Sequence, residues 1–309
     1  MSTPAENREK LQWHPAFYAG IQIDLEKEAH KLIFENEHQL GTKPKEIDVL
    51  IIKKKANQPI QKNIGRIFRK HNLVEYKSPT DYLNIDDFYK VYGYALFYKS
   101  DTKTVDEIAI DDLTITYVSS KRPRELLKHL FRRGYQITQK DAGIYYIEAG
   151  ETFQQIPMQL IILSELSADD NLWLKSLSNN IHDHDQIEKL SNEYGKNKDR
   201  NLYQSVMNVI IRANKEKFKE EKSMCEALRE LFQEELSESE SKGENKGGEV
   251  KVIGKILQKL GKNLDVDTIA EHLEEPVEQV KKITDLKKQH PDADEEALYQ
   301  ILHASEADS

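Results

Sequence analysis

The chain has 309 residues, 32% of them charged and 38% hydrophobic, and a formal net charge of −9. That length accommodates two domains, and that balance suits solvated helices around packed cores. No apolar run reaches the length of a membrane span, no signal-peptide core is present, and the single cysteine, Cys225, excludes an intrachain disulfide, so the expectation is a cytoplasmic protein with no membrane partner.

Residues 17–31 carry Phe17, Ile21, Leu25 and Ala29 at helical spacing, with Pro15 where helix starts tolerate it. Residues 32–40 have strand character, and the run 41–44, Gly-Thr-Lys-Pro, is a turn. Residues 47–53 form a continuous apolar run, the pattern of a central strand buried on both faces. After the break at 57–59, a short helix is expected over 64–70, with Ile64, Ile67 and Phe68 inward and Arg66, Arg69 and Lys70 outward. Residues 73–77 form the next strand, and 86–98 a helix burying Phe88, Tyr92, Ala95 and Leu96. A strand over 113–118, a helix over 123–131 and strands over 144–148 and 158–163 complete one mixed α/β domain. From 169 the pattern is helical. The Ser/Glu/Gly/Lys-rich stretch 237–249 reads as a flexible linker, followed by short helices over 250–260, 266–273, 277–286 and 292–302. The expected divisions are thus 13–168, a helical extension 169–236, the linker 237–249 and an accessory unit 250–309.

Charges set into apolar strands are the main chemical signal. Side chains of a strand alternate between faces, so Glu75 and Lys77 share one face. Asp48 sits in the neighbouring candidate strand. If the two strands pair, an Asp, a Glu and a Lys converge, a set able to bind a hard divalent cation and activate water against a phosphate. Glu-x-Lys spacing is common in so charged a chain: it recurs at Glu220/Lys222, Glu244/Lys246 and Glu249/Lys251, none of which follows an Asp-bearing strand. The competing reading of Lys77 is a structural salt bridge to Glu75 or Asp48, and an Asp in an apolar run otherwise needs its own partner.

The order of helix, strand, Asp-bearing strand, Glu-x-Lys strand and helix resembles the PD-(D/E)XK nuclease superfamily. The runs 41–54 and 63–99 are similar to its Rpn-type branch of recombination-promoting nucleases and transposases, a likeness extending over roughly residues 13–165. Ile47 stands where the superfamily's motif has proline. The resemblance implies a restriction-endonuclease-like core, a mixed central sheet flanked by helices, followed by an all-α C-terminal region. It implies a metal-dependent DNA endonuclease linked to recombination or mobile elements. Asp48 and Glu75 would hold Mg²⁺ or Mn²⁺, and Lys77 would orient the attacking water. A carboxylate from the first helix often completes such sites, with Glu28 the first choice, Asp24 and Glu26 behind it and Glu35 on the following strand comparable. Lys53, Lys54, Lys55, Arg66, Arg69 and Lys70 would track a phosphate backbone, while Lys90 and Tyr94 would support the site from the next helix. A nuclease that cuts both strands can act as a homodimer.

The rival readings are a nuclease fold kept for binding nucleic acid or a partner without catalysis, and a helix-turn-helix regulator. The second rests on residues 264–283. Residues 250–309, however, carry 8 Lys/Arg against 13 Asp/Glu, which favours an acidic unit for self-association or partner contact. The His-Asp-His-Asp run at 182–185 lacks a further ligand cluster.

Overall fold

The structure is a computed structural model and describes residues 11–35, 49–56, 58–149, 156–181, 183–221 and 224–307. It divides into two units, residues 1–232 and 233–309. The first is an α/β unit around a seven-stranded mixed sheet, and the second is helical.

The first unit opens with α1 (Trp13–Asp24) and a 3₁₀ turn, Glu26–Lys31, so the helix expected over 17–31 ends early, at Asp24. The strands β1 (Leu32–Glu35), β2 (Val49–Lys54) and β3 (His71–Lys77) follow as an antiparallel set, with Val49 opposite Glu75 and Lys53 opposite His71. The helix α2 (Ile85–Ser100) crosses over to β4 (Leu113–Ser119), which runs parallel to β3 with Glu75 opposite Tyr117. Then come α3 (Arg124–Arg132), the hairpin β5 (Tyr135–Asp141) and β6 (Ile144–Ala149), and β7 (Met158–Ile162), which returns parallel to β4. The sheet order is β1-β2-β3-β4-β7-β6-β5. The strand β5 has no counterpart among the elements expected from the sequence.

Alternation along β3 sends its residues to two different layers. His71, Leu73, Glu75 and Lys77 share the face on which Leu73 packs with Phe88, Val91, Ala95 and Tyr98 of α2 and Leu126 and Leu130 of α3. On the opposite face Tyr76 stacks on Phe17 of α1, centroids 4.2 Å apart and planes 5° from parallel. Behind α1 pack α4 (Leu172–Ser176) and α6 (Asn201–Ala213), with α5 (His184–Asn197) and α7 (Lys215–Glu220) completing the helical layer.

Residues 64–70 do not form the expected helix; only Asn63–Gly65 makes a 3₁₀ turn. Their backbone is instead bonded to the sheet by side chains from β3 and β7. The buried Asn72 amide donates to Ile52 O and Arg69 O, each at 2.8 Å, and its Oδ1 accepts Arg69 N at 2.8 Å and the Thr114 hydroxyl. Gln159 donates to Ile64 O at 2.8 Å and to Thr116 Oγ1 at 2.9 Å. Gly65 is packed so tightly that a Cβ there would lie 2.6 Å from Ile60 Cγ2.

The division between units falls inside α8 (Glu226–Leu260), which is helical through the stretch 237–249 read from composition as a linker. In the second unit Ile253 and Ile256 of α8 pack with Ile269 and Ala270 of α9 (Val266–Leu273), Val280 and Ile283 of α10 (Val277–Gln289) and Leu298 of α11 (Glu295–Ala307). Asp265 caps α9 by accepting Thr268 N at 3.0 Å, and Glu274 ends it in the left-handed conformation, φ 56°. Among the described residues no helix is long and apolar enough to cross a membrane.

Candidate functional site: the Glu75–Lys77–Asp87 cluster

Glu75 and Lys77 meet on the α2 face of the sheet, as alternation along one strand requires. The Lys77 amine lies 3.2 Å from Glu75 Oε1 and 3.1 Å from Asp87 Oδ1. Glu75 is buried, 7% exposed, and burial raises its pKa, only partly countered by Lys77 and by the positive charge of Lys90. Burial alone would lower the Lys77 pKa, but the carboxylates of Glu75 and Asp87 more than offset this and hold it above the usual lysine range. Tyr117, opposite Glu75 on β4, donates its hydroxyl to Phe88 O at 2.9 Å and is pushed well up by burial and by Glu75.

Asp87 is the member that sequence reasoning missed. It sits at the third position of α2, where its Oδ2 accepts Asn84 N at 3.0 Å while its own N–H donates to Asn84 Oδ1 at 3.0 Å. That reciprocal pair is a capping box. The signal was the Asn84-x-x-Asp87 spacing, which marks a helix start but says nothing of what the second carboxylate oxygen meets. Lys90, one turn on, lies 5.5 Å above the Tyr94 ring.

Asp48 lies outside the described residues. Its sequence neighbour Val49 pairs with Glu75. The other acidic candidates have separate partners. Glu28 accepts Gln61 N at 3.0 Å and Lys62 N at 2.9 Å and is paired with Lys31 at 3.0 Å. Burial raises its pKa, but those donors win and hold it below the usual glutamate range. Its carboxylate thus fastens the 59–62 loop and makes none of its contacts to Glu75 or Lys77. Glu26 is bound by Arg200 and accepts the Tyr203 hydroxyl at 2.9 Å. Glu35 pairs with Lys53 at 2.6 Å. Asp24, closed in at the end of α1, accepts Leu174 N at 3.1 Å; burial pushes its pKa up to about 7, against the pull of Lys62 and the backbone donors.

The basic residues are laced with acidic partners. Lys53 meets Glu35; Arg66 lies 3.8 Å from Asp141; Arg69 donates to Asp111 O at 2.6 Å; Lys70 lies 2.7 Å from Asp112. Lys54 reaches Phe68 O at 3.4 Å and Lys55 is exposed. Their positive charge is therefore locally compensated on most of this surface.

Glu75 and Asp87 offer hard oxygen donors of the type Mg²⁺ or Mn²⁺ takes, and the Lys77 ammonium occupies the place between them that a cation would fill. Among the described residues no group of three or more His, Cys, Asp or Glu side chains is placed to hold a metal ion. A metal at Glu75 would therefore need a donor from beyond them. No protein-family profile, curated protein or solved structure matches the chain.

Proposed function

We propose that the first unit is a metal-dependent DNA endonuclease of restriction-endonuclease-like architecture, acting in recombination or on mobile elements. The observation that carries this reading is a buried glutamate and a lysine sharing one face of a central strand, 3.2 Å apart, beside a strand that Asp48 immediately precedes in sequence. A buried carboxylate is expensive to keep unless it has a charged partner or binds a cation.

In this reading Glu75 and Asp48 hold Mg²⁺ or Mn²⁺, which supplies Lewis-acid polarisation of the scissile phosphate and a water of lowered pKa. Lys77 hydrogen-bonds the attacking water, fixes its direction and offsets negative charge growing on the phosphoryl oxygens. The buried wall of β3, β4 and α2 excludes bulk solvent behind the reacting groups and so strengthens each of these interactions. Incubation of the purified chain with supercoiled plasmid and Mg²⁺ or Mn²⁺ gives nicked and linear products, and Glu75→Gln, Lys77→Ala and Asp48→Asn each abolish them. Absence of cleavage with every divalent metal tried refutes this reading.

A second reading, a nuclease fold that binds without cutting, is favoured by one observation: Lys77 already bridges the two carboxylates, a self-contained ion-pair cluster. In that case DNA binding survives Glu75→Gln and no divalent metal alters it. The α9–α10 pair keeps the helix-turn-helix rival open as well. Lys281→Glu combined with Lys282→Glu, both exposed on α10, leaves DNA binding unchanged if the first unit carries it.

A further inference from the structure

We infer that Asp87 is the positioning residue for Lys77: it holds the lysine so that Glu75 is free to exchange its bridge for a metal ion. This rests on the metal-site reading above. It also uses a residue outside the Asp, Glu-x-Lys pattern.

The argument is one of charge and of anchoring. Lys77 carries one positive charge and faces two carboxylates, at 3.2 Å and 3.1 Å. The trio therefore keeps one net negative charge, which a cation can answer. Were Asp87 absent, Lys77 and Glu75 would cancel, and a divalent ion would have to break a closed pair in a desolvated setting. Asp87 is suited to hold the lysine because it is itself fixed. Its Oδ2 is committed to the Asn84 N–H and its backbone N–H to Asn84 Oδ1, which leaves Oδ1 facing the amine. A helix-borne carboxylate pinned at two atoms holds its partner more rigidly than the flexible Glu75 chain can. When Glu75 turns to a metal, the amine stays tethered to Asp87, with its remaining N–H groups free to direct water.

The test uses the full chain and Mn²⁺ binding by isothermal titration, with thermal unfolding alongside. Asp87→Asn retains an oxygen that can accept Asn84 N–H but removes the charge; it leaves the melting temperature nearly unchanged and weakens Mn²⁺ binding by about 10- to 100-fold, the scale seen when groups behind a metal ligand are lost. Asn84→Ala does the reverse, lowering the melting temperature while sparing Mn²⁺ affinity. The deciding measurement is the double variant: in a Lys77→Met background, Asp87→Asn costs no further Mn²⁺ affinity, because its effect runs through the lysine. A loss that persists without the lysine makes Asp87 a direct ligand and overturns the inference, as does wild-type Mn²⁺ affinity in Asp87→Asn. If the wild-type chain binds no Mn²⁺ at all, the metal-site reading itself falls and this inference with it.

Discussion

Asp24→Asn isolates a strongly perturbed carboxyl group. In the folded chain Asp24 titrates near 7 rather than at its ordinary 3.8, because burial at the end of α1 outweighs Lys62 and the backbone donors of residues 173 and 174. The folded state therefore holds a proton that the unfolded chain has lost across that interval. Stability from this group is fully present below about pH 4, declines through the window and is gone once pH rises past about 7. Three units correspond to roughly 4 kcal/mol at most. Asp24 is partly exposed, so solvent and relaxation reduce the realised value to about 1–3 kcal/mol. The amide introduced by the substitution keeps an oxygen for Leu174 N without the charge, so the variant gains stability relative to wild type at pH 8 and loses that advantage at pH 4. Urea unfolding followed by tryptophan fluorescence measures this cleanly, since both tryptophans, Trp13 and Trp173, belong to the first unit. A stability difference between variant and wild type that stays constant from pH 4 to pH 8 refutes the reasoning.

Three further outcomes follow from packing and charge. Gly143 has φ +71° and a Cβ there would lie 2.6 Å from Leu166 N and 2.8 Å from Ile162 O, all backbone; Gly143→Ala therefore costs about 2–4 kcal/mol in chemical denaturation. Gly65→Ala meets only the end of the Ile60 side chain, at 2.6 Å, so its cost is smaller, about 1–2 kcal/mol, and a melting curve ranks the two. Lys77→Ala strands buried Glu75 beside Asp87 and lowers stability by about 2 kcal/mol, whereas Lys77→Ala combined with Glu75→Gln recovers part of that loss in the same assay.

Much of the α/β order was legible because long apolar runs with clear breaks bracket most strands: 47–53, 73–77, 113–118, 144–148 and 158–163 all fall on strands or overlap them. The strand β5 was not, because it is an edge strand whose residues are mostly exposed and which carries one aliphatic residue, Ile137. The Asp141-Ala142-Gly143 turn was the available clue. The false helix at 64–70 had the right apolar spacing, but periodicity cannot see Asn72 and Gln159 capturing its backbone, or the close approach at Gly65. The pairing of Glu75 with Lys77 was readable from period-two alternation alone. The fate of Glu28 was not, since its partners, Gln61 and Lys62, lie 33 and 34 residues along the chain. The compensation of Arg66, Arg69 and Lys70 likewise comes from Asp141, Asp111 and Asp112, whose nearness only the sheet creates.

The polar line Asn72, Thr114, Thr116 and Gln159 has a consequence for how uniquely this sheet assembles. Aliphatic residues on β3, β4 and β7 would tolerate sliding, because one branched side chain replaces another at modest cost. These four cannot slide: they are fully buried, and their side-chain partners sit one step across the strands. A one-residue slip of β4 would turn both threonines to the opposite layer and leave the Asn72 and Gln159 amides without their hydroxyl partners in a dry interior. The line thus acts as a vernier, admitting one alignment of the central strands and rejecting its near neighbours.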